Sequence, residues 1–132
     1  MSDEPAREWL RYAIENLRLG RMALEGEMLN PRLQNAQQAT EKALKAVWVG
    51  TGRPVRKTHC IADLVEDLRS VSLDPGLSDP ECDLIDAIYM PSKYPVFSAL
   101  PTGMPTLQAA TECLEVAERT CAWASRRIEL PR

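Results

Sequence analysis

A single histidine occurs in 132 residues, and it closes a basic run made of Arg53, Arg56, Lys57 and His59. Cationic groups set this close could hold a phosphate, and a helix opening just after His59 would add its dipole and its unpaired amides. A solvated turn with His59 near a helix cap accounts for the same residues. A second group runs from Tyr89 to Phe97 and sets Lys93 beside Tyr94 and Phe97. A cation among aromatic rings can stack a base and neutralise its phosphate; alternatively, Tyr94 and Phe97 plug an open end of the fold. The third group is Gln34, Gln38, Glu41 and Lys45, whose spacing stacks them on one helix face. On a solvated face Glu41 and Lys45 would be an i,i+4 pair contributing about 0.3–0.5 kcal/mol. The other reading makes the stripe the polar wall of a binding cleft.

Several chemistries are set aside. Cys60, Cys82, Cys113 and Cys121 include no CxxC pair, and with one histidine the zinc-site spacings are missing. These cysteines read as small apolar core residues. Cys60 and His59 are neighbours at a helix start, so their side chains diverge and make no dyad. Asp79, Asp83 and Asp86 share a helix face, a weak magnesium pattern that surface charge near a helix start explains as well. There is no Gly-rich phosphate loop and no GxSxG elbow. No metal and no cofactor is expected. A formal net charge of −3 argues against a broadly basic nucleic-acid binder while leaving room for a local patch. No apolar run is long enough to span a bilayer, and the first residues, MSDEPAREW, do not resemble a signal peptide. A cytoplasmic protein with no membrane contact is expected.

The elements that must position these groups are all helical. A first helix is expected from about Pro5 to Glu25, with Leu10, Ala13, Ile14, Leu17, Ala23 and Leu24 on its apolar face and Gly20 and Gly26 weakening its second half. Asn30-Pro31 reads as an N-cap and first helical residue opening a second helix, which ends at Gly50-Thr51-Gly52. The stretch from Asn35 to Val49 puts Ala36, Ala39, Ala43 and Ala46 on one side. Thr58 could cap a third helix with Ile61, Leu64, Val65, Leu68 and Val71 inward. Ser78 and Glu81 form a capping-box pattern for a short fourth helix bearing Cys82, Ile85, Ile88 and Tyr89. From Met90 to Pro105 four prolines exclude a continuous helix. The last helix carries Leu107, Ala110, Leu114, Ala117, Cys121, Ala124 and Ile128 inward. No stretch reads as a strand. The expectation is an all-α, antiparallel up-and-down bundle of four to five helices, a single domain over residues 1–132.

Together these motifs resemble the HEPN family, the higher-eukaryote and prokaryote nucleotide-binding domains, over nearly the whole chain. The second helix, AQQATEKALKAVWVGTG, is similar to the family's AQQAxEKALKAxxxxxG. Thr58-His59 followed by Ile61 and Leu64 resembles its Thr-His motif, and Lys93-Tyr94-Pro95 its Arg-Tyr-Pro motif. The resemblance implies a helical bundle, usually homodimeric, that binds nucleotide or RNA in a cleft. It also implies a minimal nucleotidyltransferase partner in a toxin–antitoxin-like pair. Gln38, Glu41, Lys45, His59, Lys93 and Tyr94 would then line the ligand site. Toxins of the family are metal-independent ribonucleases marked by an Arg followed several residues later by a His. Here no histidine follows Lys93, and lysine lacks the planar fork of arginine. Arg53 and His59 have a permissible separation but lie in the wrong loop. With one histidine, two-histidine acid–base cleavage within a protomer is excluded. A ribonuclease would have to use Lys93, Tyr94 and His59 as catalytic groups. A protein-interaction domain without a ligand of its own is the remaining alternative.

Overall fold

Asp3 opens the first helix by accepting the Ala6 amide at 2.8 Å, which satisfies one of the four donors any helix start leaves unpaired. From there the computed structural model runs through α1 (Glu4–Glu25), α2 (Leu29–Gly50), α3 (Ile61–Ser70), α4 (Asp79–Lys93) and α5 (Leu107–Ser125). It describes residues 3–26, 28–93 and 106–130, with side chains of 89–93 excepted. Among the described residues there is no strand, so the fold is all-α with five helices.

The expected core is largely the observed one. Leu10, Ala13, Leu17 and Ala23 of α1 are buried, as are Ile61, Leu64, Val65 and Leu68 of α3 and Cys82, Ile85 and Ile88 of α4. In α5 the expected row from Ala110 to Ala124 is inside and is widened by Cys113, Val116, Thr120 and Trp123. Ile128 is buried just past the end of that helix. Two apolar residues turn outward instead: Leu24 near the end of α1 and Leu107, 60% exposed at the first residue of α5. Each sits at a helix terminus, where fewer neighbouring helices remain to cover it.

α2 is the centre of the bundle and packs on all four other helices. Ala36, Ala39, Ala43 and Ala46 are fully buried, and their small side chains let neighbours approach closely. Gly20 does the same from α1. A Cβ there would lie 3.0 Å from Leu114 Cδ1 and 3.6 Å from Asn35 Cβ, so the glycine is where α1, α2 and α5 meet. Arg32 is 1% exposed, and its Nη2 donates to the Leu24 carbonyl at 3.0 Å. It thereby supplies the positive end-group that α1 lacks in its own last turn.

Three boundaries differ from the sequence reading, each for a local reason. α2 begins at Leu29 after Met28, so Asn30 and Pro31 are its second and third residues. Proline is tolerated there because first-turn amides have no intrahelical acceptor. Thr58 does not cap α3: its hydroxyl accepts the Cys60 amide at 3.1 Å, and the helix begins at Ile61. α4 is not short but continues past Pro91 to Lys93, the helix forgoing the one ladder amide that a proline cannot supply. The Ser78–Glu81 capping box forms as expected, with the Ser78 amide donating to Glu81 at 3.0 Å and the Glu81 amide to Ser78 at 3.2 Å. The Ser78 amide, with Arg119 beside it, holds the Glu81 carboxyl below its usual range.

Candidate functional site: a buried polar chain ending at His59

Opposite its alanines α2 should present a solvated edge or a wall, and the two readings differ in burial. Glu41 is 3% exposed and Lys45 5%, both far from solvated, while Gln38 is half-buried. Their polar atoms are joined. Gln38 Nε2 donates to Gln37 Oε1 at 2.6 Å, and Gln37 Nε2 to Glu41 Oε1 at 2.9 Å. Lys45 Nζ donates to Glu41 Oε2 at 3.0 Å and lies 5.7 Å from the centre of the Trp9 ring of α1. His59 reaches the same carboxylate, Nδ1 standing 3.1 and 3.2 Å from its two oxygens. The result is a continuous polar chain running from half-buried Gln38 through a buried carboxylate to a histidine whose side chain is 55% exposed.

His59 is held there by the start of α3. The Asp86 carboxylate of α4 accepts the amides of Ile61 at 2.6 Å and Ala62 at 3.2 Å, and Cys60 Sγ lies 3.4 Å from it. This clamps the helix start, and with it the loop residue two positions earlier. It also bears on one of the two readings of the basic run. The α3 amides do not wait for a phosphate beside the basic run, because a carboxylate from within the fold already occupies them. Two of the other basic residues, Arg53 and Arg56, turn to partners of their own. Arg53 stacks on Trp48, 5.2 Å from the ring centre; Trp48 Nε1 donates to the Pro54 carbonyl; Arg56 pairs with Asp67 at 2.5 Å.

Of the residues expected at the site, the described structure therefore brings Gln38, Glu41, Lys45 and His59 into one network. Lys93 is the last residue of α4, with its side chain outside the described part, and Tyr94 lies outside the described residues. Gln37 and Trp9 join the network without being among the expected residues. Gln37 carries a usable signal, standing four residues before Glu41 and so on its face.

The acidic triad does not converge: Asp86 caps α3, Asp79 lies 4.0 Å from Arg69 and Asp83 is exposed. Among the described residues no group of three or more His, Cys, Asp or Glu side chains could hold a metal ion. All four cysteines are free. Burial pushes the Cys82 thiol up to about 11 and those of Cys113 and Cys121 up to about 12; burial, with Asp86 nearby, also raises Cys60. A groove of about 220 Å³ between α4 and α5, lined by Glu81, Leu84, Glu112, Glu115, Val116 and Arg119, shares no residue with the polar chain. Among the described residues no helix is long and apolar enough to cross a membrane.

Comparison with known proteins adds a lineage to this geometry. The family model described as "HEPN domain" matches residues 6–128. The crystal structure of TT1696 from Thermus thermophilus is similar at 28% identity, covering 95% of this chain and 99% of that one with a TM-score of 0.65. ST0689, an archaeal HEPN homologue, shares the fold at 22% identity and a TM-score of 0.61, over 95% of this chain and 98% of its own. None of the curated proteins matches the chain.

Proposed function

The chain belongs to the HEPN domain family, and from that premise we propose that it is a nucleotide- or RNA-binding module whose site opens on the edge of α2 beside His59. The observation that carries this reading is the polar chain itself. An ion pair this deeply buried, Glu41 with Lys45, is weak support for stability, because desolvation offsets most of its Coulombic gain. It ends on an imidazole set at the surface, a group that can meet phosphate as a cation or a hydroxyl as an acceptor. Gln38, Glu41, Lys45 and His59 form the described part of the site, and Lys93 and Tyr94 complete it in this reading. Isothermal titration of the full chain with nucleotides and short RNAs tests it. Saturable binding lost in His59→Ala supports the assignment, and flat titrations with every ligand reject it.

The same reading gives the protein a homodimeric state and a minimal nucleotidyltransferase partner in a toxin–antitoxin-like pair. Mass measurement in solution and the neighbouring reading frame test those two statements. A second reading, a metal-independent ribonuclease, is favoured by the Glu41–His59 pair, since a carboxylate behind an imidazole orients it for acid–base work. Growth arrest on expression, relieved by His59→Ala or Lys93→Ala, would support it. Unchanged toxicity in both variants removes it.

A further inference from the structure

Both carboxylate oxygens of Glu41 are engaged from within the fold. Oε1 receives Gln37 Nε2 at 2.9 Å, Oε2 receives Lys45 Nζ at 3.0 Å, and His59 Nδ1 bridges both oxygens at 3.1 and 3.2 Å. Lys45 is likewise enclosed, its ammonium lying between that carboxylate and the Trp9 ring. Groups this buried and this occupied are poorly placed to touch a ligand. They are well placed to act on the member of the chain most open to solvent.

We infer that Glu41, Gln37 and Lys45 are positioning residues, which lock the His59 ring with its proton on Nδ1 and so make Nε2 the nitrogen that meets the ligand. The argument is one of donors and acceptors. A carboxylate held by a lysine ammonium is ionised and can only accept. The ring nitrogen lying on it must therefore be the one that carries hydrogen. In the neutral ring this leaves the lone pair on Nε2, and in the cation it makes Nε2 a donor as well. Metal-binding histidines are oriented in the same way by a carboxylate on the nitrogen away from the ligand. Gln37 fixes one carboxylate oxygen and is itself fixed by Gln38; Lys45 fixes the other. This departs from a site in which Glu41 and Lys45 contact ligand directly. It rests on the binding-site reading only for what Nε2 then meets.

One histidine in the chain makes the test spectroscopically clean. In ¹⁵N-labelled full-length protein, long-range ¹H–¹⁵N correlation at alkaline pH reports which ring nitrogen carries the proton, with no ligand present. The Nδ1–H form should exceed the Nε2–H form about tenfold or more, as one hydrogen bond to a charged group suffices to give. In Glu41→Leu/Lys45→Met, which removes both buried charges together, the preference should reverse to the Nε2–H form ordinary for a free imidazole. Gln37→Leu keeps both charges and should reduce the excess without reversing it, which covers the case of a double variant that does not fold. A wild-type ring protonated on Nε2, or the same ratio in wild type and variants, overturns the inference. Adding adenosine monophosphate or a short RNA should then shift Nε2 more than Nδ1, and a larger shift at Nδ1 also overturns it. No shift with any ligand, on a ring still locked on Nδ1, would reject the binding reading and leave the positioning intact.

Discussion

Removing Glu41 should cost far more than removing Lys45, although the two face each other in one ion pair. Their side chains are 5% and 6% exposed, so whichever partner stays behind remains in a poorly solvated site. In Glu41→Leu the stranded group is the Lys45 ammonium, whose remaining neighbour is the Trp9 ring at 5.7 Å. Breaking a buried pair from this side costs about 3–5 kcal/mol, and the cation–π contact, already present in the intact pair, offsets none of that. In Lys45→Met the stranded group is a carboxylate that keeps Gln37 and His59 as hydrogen-bond partners. That variant should lose about 1.5–3 kcal/mol, the worth of a hydrogen bond between charged groups. The double change Glu41→Leu/Lys45→Met strands neither and should be less destabilised than Glu41→Leu alone, a coupling that a double-mutant cycle reads directly. Urea unfolding followed by circular dichroism, with a common slope across the four proteins, supplies the free energies. A loss below about 1 kcal/mol in Glu41→Leu, or simple additivity in the double variant, would refute the reasoning, since both are what a solvated surface pair gives.

Other parts of the fold respond in ways that can be measured with the same unfolding assay. Asp86→Ala removes the acceptor of the Ile61 and Ala62 amides and should cost about 1–2 kcal/mol; the His59 resonances should move with it, because that clamp sets the loop. Gly20→Ala gains helix propensity of about 1 kcal/mol but drives a methyl to 3.0 Å from Leu114 Cδ1; with an overpacking cost of about 1–3 kcal/mol, the net change should be a loss. The buried thiols of Cys82, Cys113 and Cys121 keep their protons up to about 11, 12 and 12, against an ordinary 9.0. Because the unfolded chain releases those protons first, the stabilisation they give is complete below the ordinary thiol range and fades as pH rises through that window. Replacing all three by alanine should flatten the alkaline fall in stability relative to its own value at neutral pH.

Local signals carry the elements and most of their caps. Asp3, the Ser78–Glu81 box and Thr106 all cap helices within three residues of themselves, the range over which a sequence pattern can be read. The start of α3 escapes that range, and Thr58 is the wrong cap for it, because the true acceptor, Asp86, comes from 25 residues further along the chain. Nothing local distinguishes a carboxylate that will cap another helix from one that merely faces solvent beside Asp79 and Asp83. Pro91 misleads in the opposite direction. A proline lacks one ladder amide wherever it falls after the first turn, and α4 nonetheless carries on for two residues past it.

The stripe on α2 shows most plainly what a single helix conceals. A face bearing Gln38, Glu41 and Lys45 is compatible with open water so long as the helix is considered alone. What decides its meaning is how much of the remaining circumference is already committed. Ala36, Ala39, Ala43 and Ala46, with Leu44 and Val47, are wholly buried, so α2 is wrapped by its neighbours on that side. Only a narrow edge is left, and it is closed in turn by Trp9 from α1 and His59 from the α2–α3 loop. Charged residues on such an edge must find partners within the fold or be neutralised, and Glu41 and Lys45 find each other, Gln37 and the imidazole. Small residues on one face and linked polar residues on the other are thus two consequences of one position: a central helix packed closely enough that its last uncovered edge is closed by polar contacts from its neighbours.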